Sequence, residues 1–217
     1  MKLKWLRDAG ELFSKDIKLF LAMNAAFVGL LVLGALIALA FPQLQLDLLG
    51  DVHTGTYSGS TSGLFSPVLS GYRSGNVLYA AAMLFAGNFL GGTLAAITIP
   101  SLLFPPWALI EGIGGALLDG ITLIVPTPGR PLDVVVPHYG TILIEGEAYL
   151  VAIFACVGQI RVFLKIGRMP SREWLKAYWL AIVDNLKLLP IVMLILAVAA
   201  LYEAWEIMVL HGHNLIK

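Results

Sequence analysis

Residues 19–41 run for about 23 positions without a Lys, Arg, Asp or Glu. Nothing else in the chain restricts its possible folds as strongly. About 20 apolar residues in a helix cross the ~30 Å hydrocarbon core of a bilayer. Inside lipid every backbone N–H and C=O needs a partner within the protein, which a helix supplies from its own residues. Further long apolar stretches follow at about 76–99, 107–125 and 138–160, with a last one ending near 210. The expected fold is an all-α integral membrane protein, a bundle of five transmembrane helices. Composition agrees: 59% of positions are hydrophobic and 13% charged, against about 45–50% and ~25% in soluble domains. A soluble globular domain is excluded.

Residues 1–18 interleave Lys2, Lys4, Arg7, Lys15 and Lys18 with Trp5, Leu6, Leu12 and Phe13. That pattern predicts an amphipathic segment on the cytoplasmic membrane surface, leading into a membrane domain over 19–210. The first apolar run begins after this charged stretch and ends in Phe41-Pro42 rather than at a small-residue cleavage site, so it is expected to be a retained span. Residues 42–75, rich in Gly, Ser and Thr and without clear periodicity, are expected to form an outer loop. Pro100, Pro105 and Pro106 mark one corner, and Pro126, Pro128, Pro131 and Pro137 another. Pro170-Ser171 reads as the start of the last helix, with Ser171 as its cap. The inner boundary of that span is open: residues 172–187 form either an interfacial helix or the first part of one long tilted helix.

Of the 14 Lys and Arg residues, ten lie in the amino-terminal segment or in the connection at 161–177. Both fall on one side of a five-span topology, which the positive-inside rule makes cytoplasmic. The amino terminus is then cytoplasmic, the carboxyl terminus lies outside, and the expected location is the cell membrane. The formal net charge of zero suggests no nucleic-acid partner. Cys156 is the only cysteine, so no disulfide forms within the chain, and it reads as a small buried hydrophobe.

Against this apolar background, Asp119, His138, Glu145, Glu147 and Glu203 stand out. A charged side chain at mid-membrane costs at least ~2.5 kcal/mol and persists when paired, protonated or metal-bound. At ~1.5 Å of rise per residue, Glu145 and Glu147 lie about 10–14 Å below His138, and all five residues share the outer half of the membrane. A divalent metal such as zinc is one occupant of such a set, and protons are another. His138 and Glu145 share a helix face but are too far apart to chelate by themselves, so a neighbouring helix must contribute ligands. Blander roles are also open. His138 can cap a helix, Glu203 and Glu206 can reach interfacial water, and Asp184 can pair locally with Lys187. Asn88 and Glu111 are further intramembrane polar residues, Asn88 being suited to an interhelical hydrogen bond. Gly87 and Gly91, and the row Ala108, Gly112, Ala116 and Gly120, form small-residue faces for close helix or subunit packing.

The order of GNFLGG around Asn88, Glu111-Gly112, PHYGTILIEGE and a terminal LYEAWE resembles the stage II sporulation protein M family of multi-span membrane proteins, over about residues 20–210. Gly87 stands where the family has Asn before Asn88, Glu111 replaces an Asn, and Tyr139 is inserted between His138 and Gly140. Either Glu145 or Glu147 takes the place of the family's Glu. The resemblance implies a non-enzymatic component of a membrane assembly, in contact with the lipid bilayer and with further copies of itself or other membrane proteins. An ion-coupled permease is the alternative. An intramembrane metallohydrolase fits less well, because HExxH does not occur and His138 is a lone intramembrane histidine, and there is no GxSxG for a nucleophilic serine.

Overall fold

The computed structural model describes residues 4–54 and 70–210. Among them there are helices and no strand, the only extended pairing being a single bridge between Thr127 and Arg130. In chain order the helices are α1 (Lys4–Ala40), α2 (Pro42–Thr54), α3 (Val77–Leu103), α4 (Trp107–Leu123), α5 (Leu132–Ala155), α6 (Val157–Phe163) and α7 (Ser171–Leu210). Four segments are long and apolar enough to cross a membrane: Arg7–Ala40, Val77–Leu103, Leu132–Phe163 and Ser171–Leu210. Their outward faces carry exposed leucines and valines such as Leu36, Leu78, Leu143 and Leu194. A surface of that kind is stable against lipid and unfavourable in water.

Several boundaries differ from those read in the sequence. The amphipathic start and the first apolar run are one helix, bent where Asp16 leaves helical geometry at φ −125° and ψ 25°. The bend places Asp16 in a bidentate ion pair with Arg161, at 2.6 and 2.8 Å. Residues 42–54 are helical, because Pro42 enters the first turn without needing its missing N–H. The Gly- and Ser-rich stretch 55–69, the centre of the expected outer loop, lies outside the described residues. Helix α4 has 17 residues, a rise of about 26 Å, and so falls short of the length of the other candidate spans. Helix α5 begins at Leu132, before Pro137, which sits inside the helix. The last segment is one helix from Ser171, so residues 172–187 are continuous with the apolar stretch that follows, and Pro170 rather than Ser171 stands at its cap position.

Helix α4 lies along α1, and α7 lies along both α3 and α5. The α1–α4 crossing is close because it is glycine on glycine. A Cβ on Gly34 would stand 2.5 Å from the Leu117 carbonyl oxygen and 2.7 Å from the Gly120 Cα. Ala108, Ala116 and Gly120 are buried within the chain, so most of the small-residue row on α4 is used for internal packing. Where α3 meets α5 the tight position is Gly92, whose absent side chain leaves room for Tyr149. Phe13, Phe20 and Phe154 pack ring against ring with centroids 5.1–5.3 Å apart, tying α1 to α5. Nearby, the buried Asn185 amide donates to Cys156 Sγ at 3.2 Å and to Gln159 Oε1 at 3.1 Å, joining α7 to α5 and α6. Cys156 is fully buried. Asp184 and Lys187 form the expected local pair at 2.6 Å.

Candidate functional site

At the end of the bundle where α5 begins and α7 finishes, two of the sequence's distinctive motifs meet. Helix α5 carries Pro137-His138-Tyr139-Gly140 in its second turn, and α7 carries Leu201-Tyr202-Glu203-Ala204-Trp205-Glu206 in its last turns. Gly140 has no side chain, so the Tyr202 ring lies against its backbone; a Cβ there would come within 2.8 Å of the ring. The Tyr202 hydroxyl donates to the Pro137 carbonyl at 2.9 Å. Tyr139 turns the other way and donates to the Ile124 carbonyl at 2.9 Å, fastening α5 to the end of α4. PHYG thus docks α5 against both α7 and the end of α4.

His138 Nδ1 faces Glu206 Oε1 at 3.3 Å, and the Thr141 hydroxyl donates to Glu206 Oε2 at 2.9 Å. Glu206 is 1% exposed, so it is a buried partner of α5 rather than an interfacial residue reaching water. Arg130, in the loop before α5, lies within electrostatic range of Glu206 and donates to the Thr122 carbonyl at 3.3 Å. Burial lowers the Arg130 pKa, and the Glu206 carboxylate opposes that shift.

Glu203 lies three residues before Glu206, on the same side of α7. It accepts a hydrogen bond from the Tyr72 hydroxyl at 3.1 Å. Burial, reinforced by the Glu203 carboxylate, raises the Tyr72 phenol well above its ordinary pKa, so this hydroxyl remains a donor. Glu203 also faces Glu145 of α5 within hydrogen-bonding reach. The Asn88 amide of α3 donates to the other side of this pair, at Glu145 Oε1. Two carboxylates at that range repel unless a proton is held between them. Asn88, Glu145, Glu203 and Tyr72 therefore form one chain of polar contacts crossing α3, α5 and α7.

Backbone geometry changes where these contacts form. Gly87–Thr98 is π-helical: the Ile99 N–H bonds to the carbonyl of Leu94, five residues back. Glu206–Leu210 is a second π-helical segment. Such segments are rare and recur at functional positions.

The five candidate ligands separate in space. Glu145 and Glu203 meet, and His138 turns to Glu206. Asp119 is half-buried on the wall of a cavity, within electrostatic range of His138 and Glu145. Glu147 is half-buried and makes no hydrogen bond or ion pair among the described residues. Among those residues no three His, Cys, Asp or Glu side chains converge as a metal site requires. The expectation of a zinc-like site at His138, Glu145, Glu147, Asp119 and Glu203 finds no support in this geometry. Of Glu145 and Glu147, Glu145 is the one that enters the polar chain.

The adjoining cavity, about 240 Å³, lies between α1, α3, α4 and α5. Glu111 and Asp119 of α4 line it, with Gly115 between them, and the rings of Phe27 and Tyr149 form part of its wall. Phe27 occupies the gap left by Gly146, and Tyr149 the gap left by Gly92.

Tyr72, Arg130, Thr141 and Glu206 are members that sequence reasoning did not assign to the site. The spacing of Glu203 and Glu206 was the available signal for Glu206. Tyr72 lay in a stretch without periodicity, and Arg130 in a loop. No known protein family, curated protein or solved structure matches the chain.

Proposed function

We propose that this chain is a five-span protein of the cell membrane, with α4 as the fifth span, a cytoplasmic amino terminus and an external carboxyl end. Its polar core holds a proton between α5 and α7. Support for α4 as a span comes from its seat along α1 through the Gly34/Gly120 contact. Support for the orientation comes from the Lys and Arg residues concentrated near Asp16 and Arg161, at the end of the bundle opposite His138. The observation that carries the proton reading is the facing of Glu145 and Glu203, flanked by the Asn88 and Tyr72 donors. Each donor engages one oxygen of its carboxylate, and each carboxylate has a second oxygen besides.

In this proposal the protein is a non-enzymatic component of a membrane assembly, in line with the resemblance to the sporulation protein M family. The docking of PHYG on LYEAWE gives the two motifs that carry the resemblance one joint role in this chain. An ion-coupled carrier is the second reading, favoured by the acidic cavity beside the proton-holding pair.

Infrared difference spectroscopy of the protein in lipid tests the proposal. A protonated-carboxyl band at neutral pH that shifts in D₂O and disappears in Glu145→Gln is the expected result. Absence of that band in the wild type, or its persistence in both Glu145→Gln and Glu203→Gln, overturns it.

A further inference from the structure

The cavity beside the proton-holding pair presents a second chemistry. Its lining contains two carboxylates and no Lys, Arg or His. Neither Glu111 nor Asp119 makes a hydrogen bond or ion pair among the described residues. The basic side chain within electrostatic range of Asp119 is His138, which already faces Glu206. At about 30 Å³ per water, a cavity of about 240 Å³ has room for several waters or one small ligand. Net negative charge in a low-dielectric site selects a cation.

The spacing of the carboxylates narrows the class. Glu111 and Asp119 are eight residues apart on α4, a rise of about 12 Å. One bare metal ion cannot be bound by both, consistent with the lack of a convergent ligand set among the described residues. Between them the wall is apolar and open. Gly115 has nothing within 4 Å of where its Cβ would stand, and Ala116 follows it. Phe27 and Tyr149 add aromatic rings, which attract cations and pack against methylene groups. A site with an anion at each end, an apolar floor and an aromatic wall matches a molecule with a cation at each end and an apolar middle.

We propose that this cavity binds an elongated organic dication of the alkyl diamine class, with Glu111 holding one ammonium and Asp119 the other. The proposal rests on the cavity and is independent of the proton held by Glu145 and Glu203.

Isothermal titration of the full chain in detergent, with the series from 1,3-diaminopropane to 1,8-diaminooctane and the matching n-alkylamines, tests it. Affinity is expected to peak within the diamine series and to exceed that of the equally long monoamine by about tenfold, the effect of one additional charge-assisted contact. Glu111→Gln and Asp119→Asn should each bring the diamine down to the monoamine level. Glu147→Gln, outside the cavity, should leave binding unchanged. Gly115→Leu keeps both carboxylates but fills the open floor, and should abolish binding while the protein still unfolds cooperatively. Equal affinity for diamines and monoamines, diamine affinity undiminished in both carboxylate variants, or selective binding of Mg²⁺ in place of amines would each overturn the assignment.

Discussion

Gly115 and Gly120 lie on the same short helix, yet adding one methyl group to each should change stability in opposite directions. At Gly120 a Cβ would stand 2.9 Å from the Gly34 Cα and 3.0 Å from the Leu31 carbonyl carbon, with the Leu31 oxygen closer still. All three obstacles are backbone atoms of α1, so no rotamer change relieves the clash and the helices must separate. Overpacking of this kind costs about 1–3 kcal/mol. Against it stands the ~0.5–1 kcal/mol that a helix gains when Ala replaces Gly. A net loss of about 1–2 kcal/mol is expected for Gly120→Ala. At Gly115 nothing lies within 4 Å, so Gly115→Ala should keep only the gain, about 0.5–1 kcal/mol. Equilibrium unfolding in mixed micelles with increasing SDS measures both. If Gly120→Ala were as stable as Gly115→Ala, the glycine-on-glycine crossing of α1 and α4 would be refuted.

Three further outcomes are expected. Glu206→Ala takes the acceptor from the Thr141 hydroxyl and removes the carboxylate that faces His138 Nδ1, and should cost about 1–3 kcal/mol in the same titration; a loss below about 0.5 kcal/mol, typical of surface positions, would show that these α5–α7 contacts are not formed. Tyr72→Phe removes the donor to Glu203 and should cost about 1–2 kcal/mol. Because the folded-state pKa of Tyr72 is raised, its contribution is complete below the ordinary phenol value of ~10 and declines as pH rises above it. Stability should therefore fall less steeply in alkali for Tyr72→Phe than for the wild type. Cys156, the only thiol and fully buried, should react with a membrane-permeant maleimide after denaturation and remain unlabelled in the folded protein, as mass spectrometry would show.

The long apolar runs were legible because backbone hydrogen bonding in lipid admits few structures, so local composition alone leads to helices. For the same reason Asn88 was recognisable as an interhelical donor, and Asp184–Lys187 as a local pair: one has no water to turn to, and the other needs contacts only along its own helix. Metal ligation by His138, Glu145, Glu147, Asp119 and Glu203 was a reading of depth. Depth does not tell which way a side chain faces around a helix. Helix α2 escaped notice because 42–54 has no strong apolar periodicity, and its boundary depends on Pro42 restarting the chain after Phe41.

By itself the sequence determined that the chain is helical, that it has helices long and apolar enough to cross a membrane, and that a few ionisable groups must be accommodated among them. These follow from the free energy of transferring backbone and charge into hydrocarbon, which acts on each segment independently. Only the tertiary structure decided the partners. Glu145 meets Glu203, and His138 meets Glu206, because α5 and α7 lie alongside each other and Gly140 allows Tyr202 to dock. Asp119 faces a cavity because Gly92 and Gly146 let two aromatic rings fold into its wall. Such pairings depend on the rotation and approach of one helix relative to another, set by contacts between residues far apart in the chain, and no local pattern encodes them.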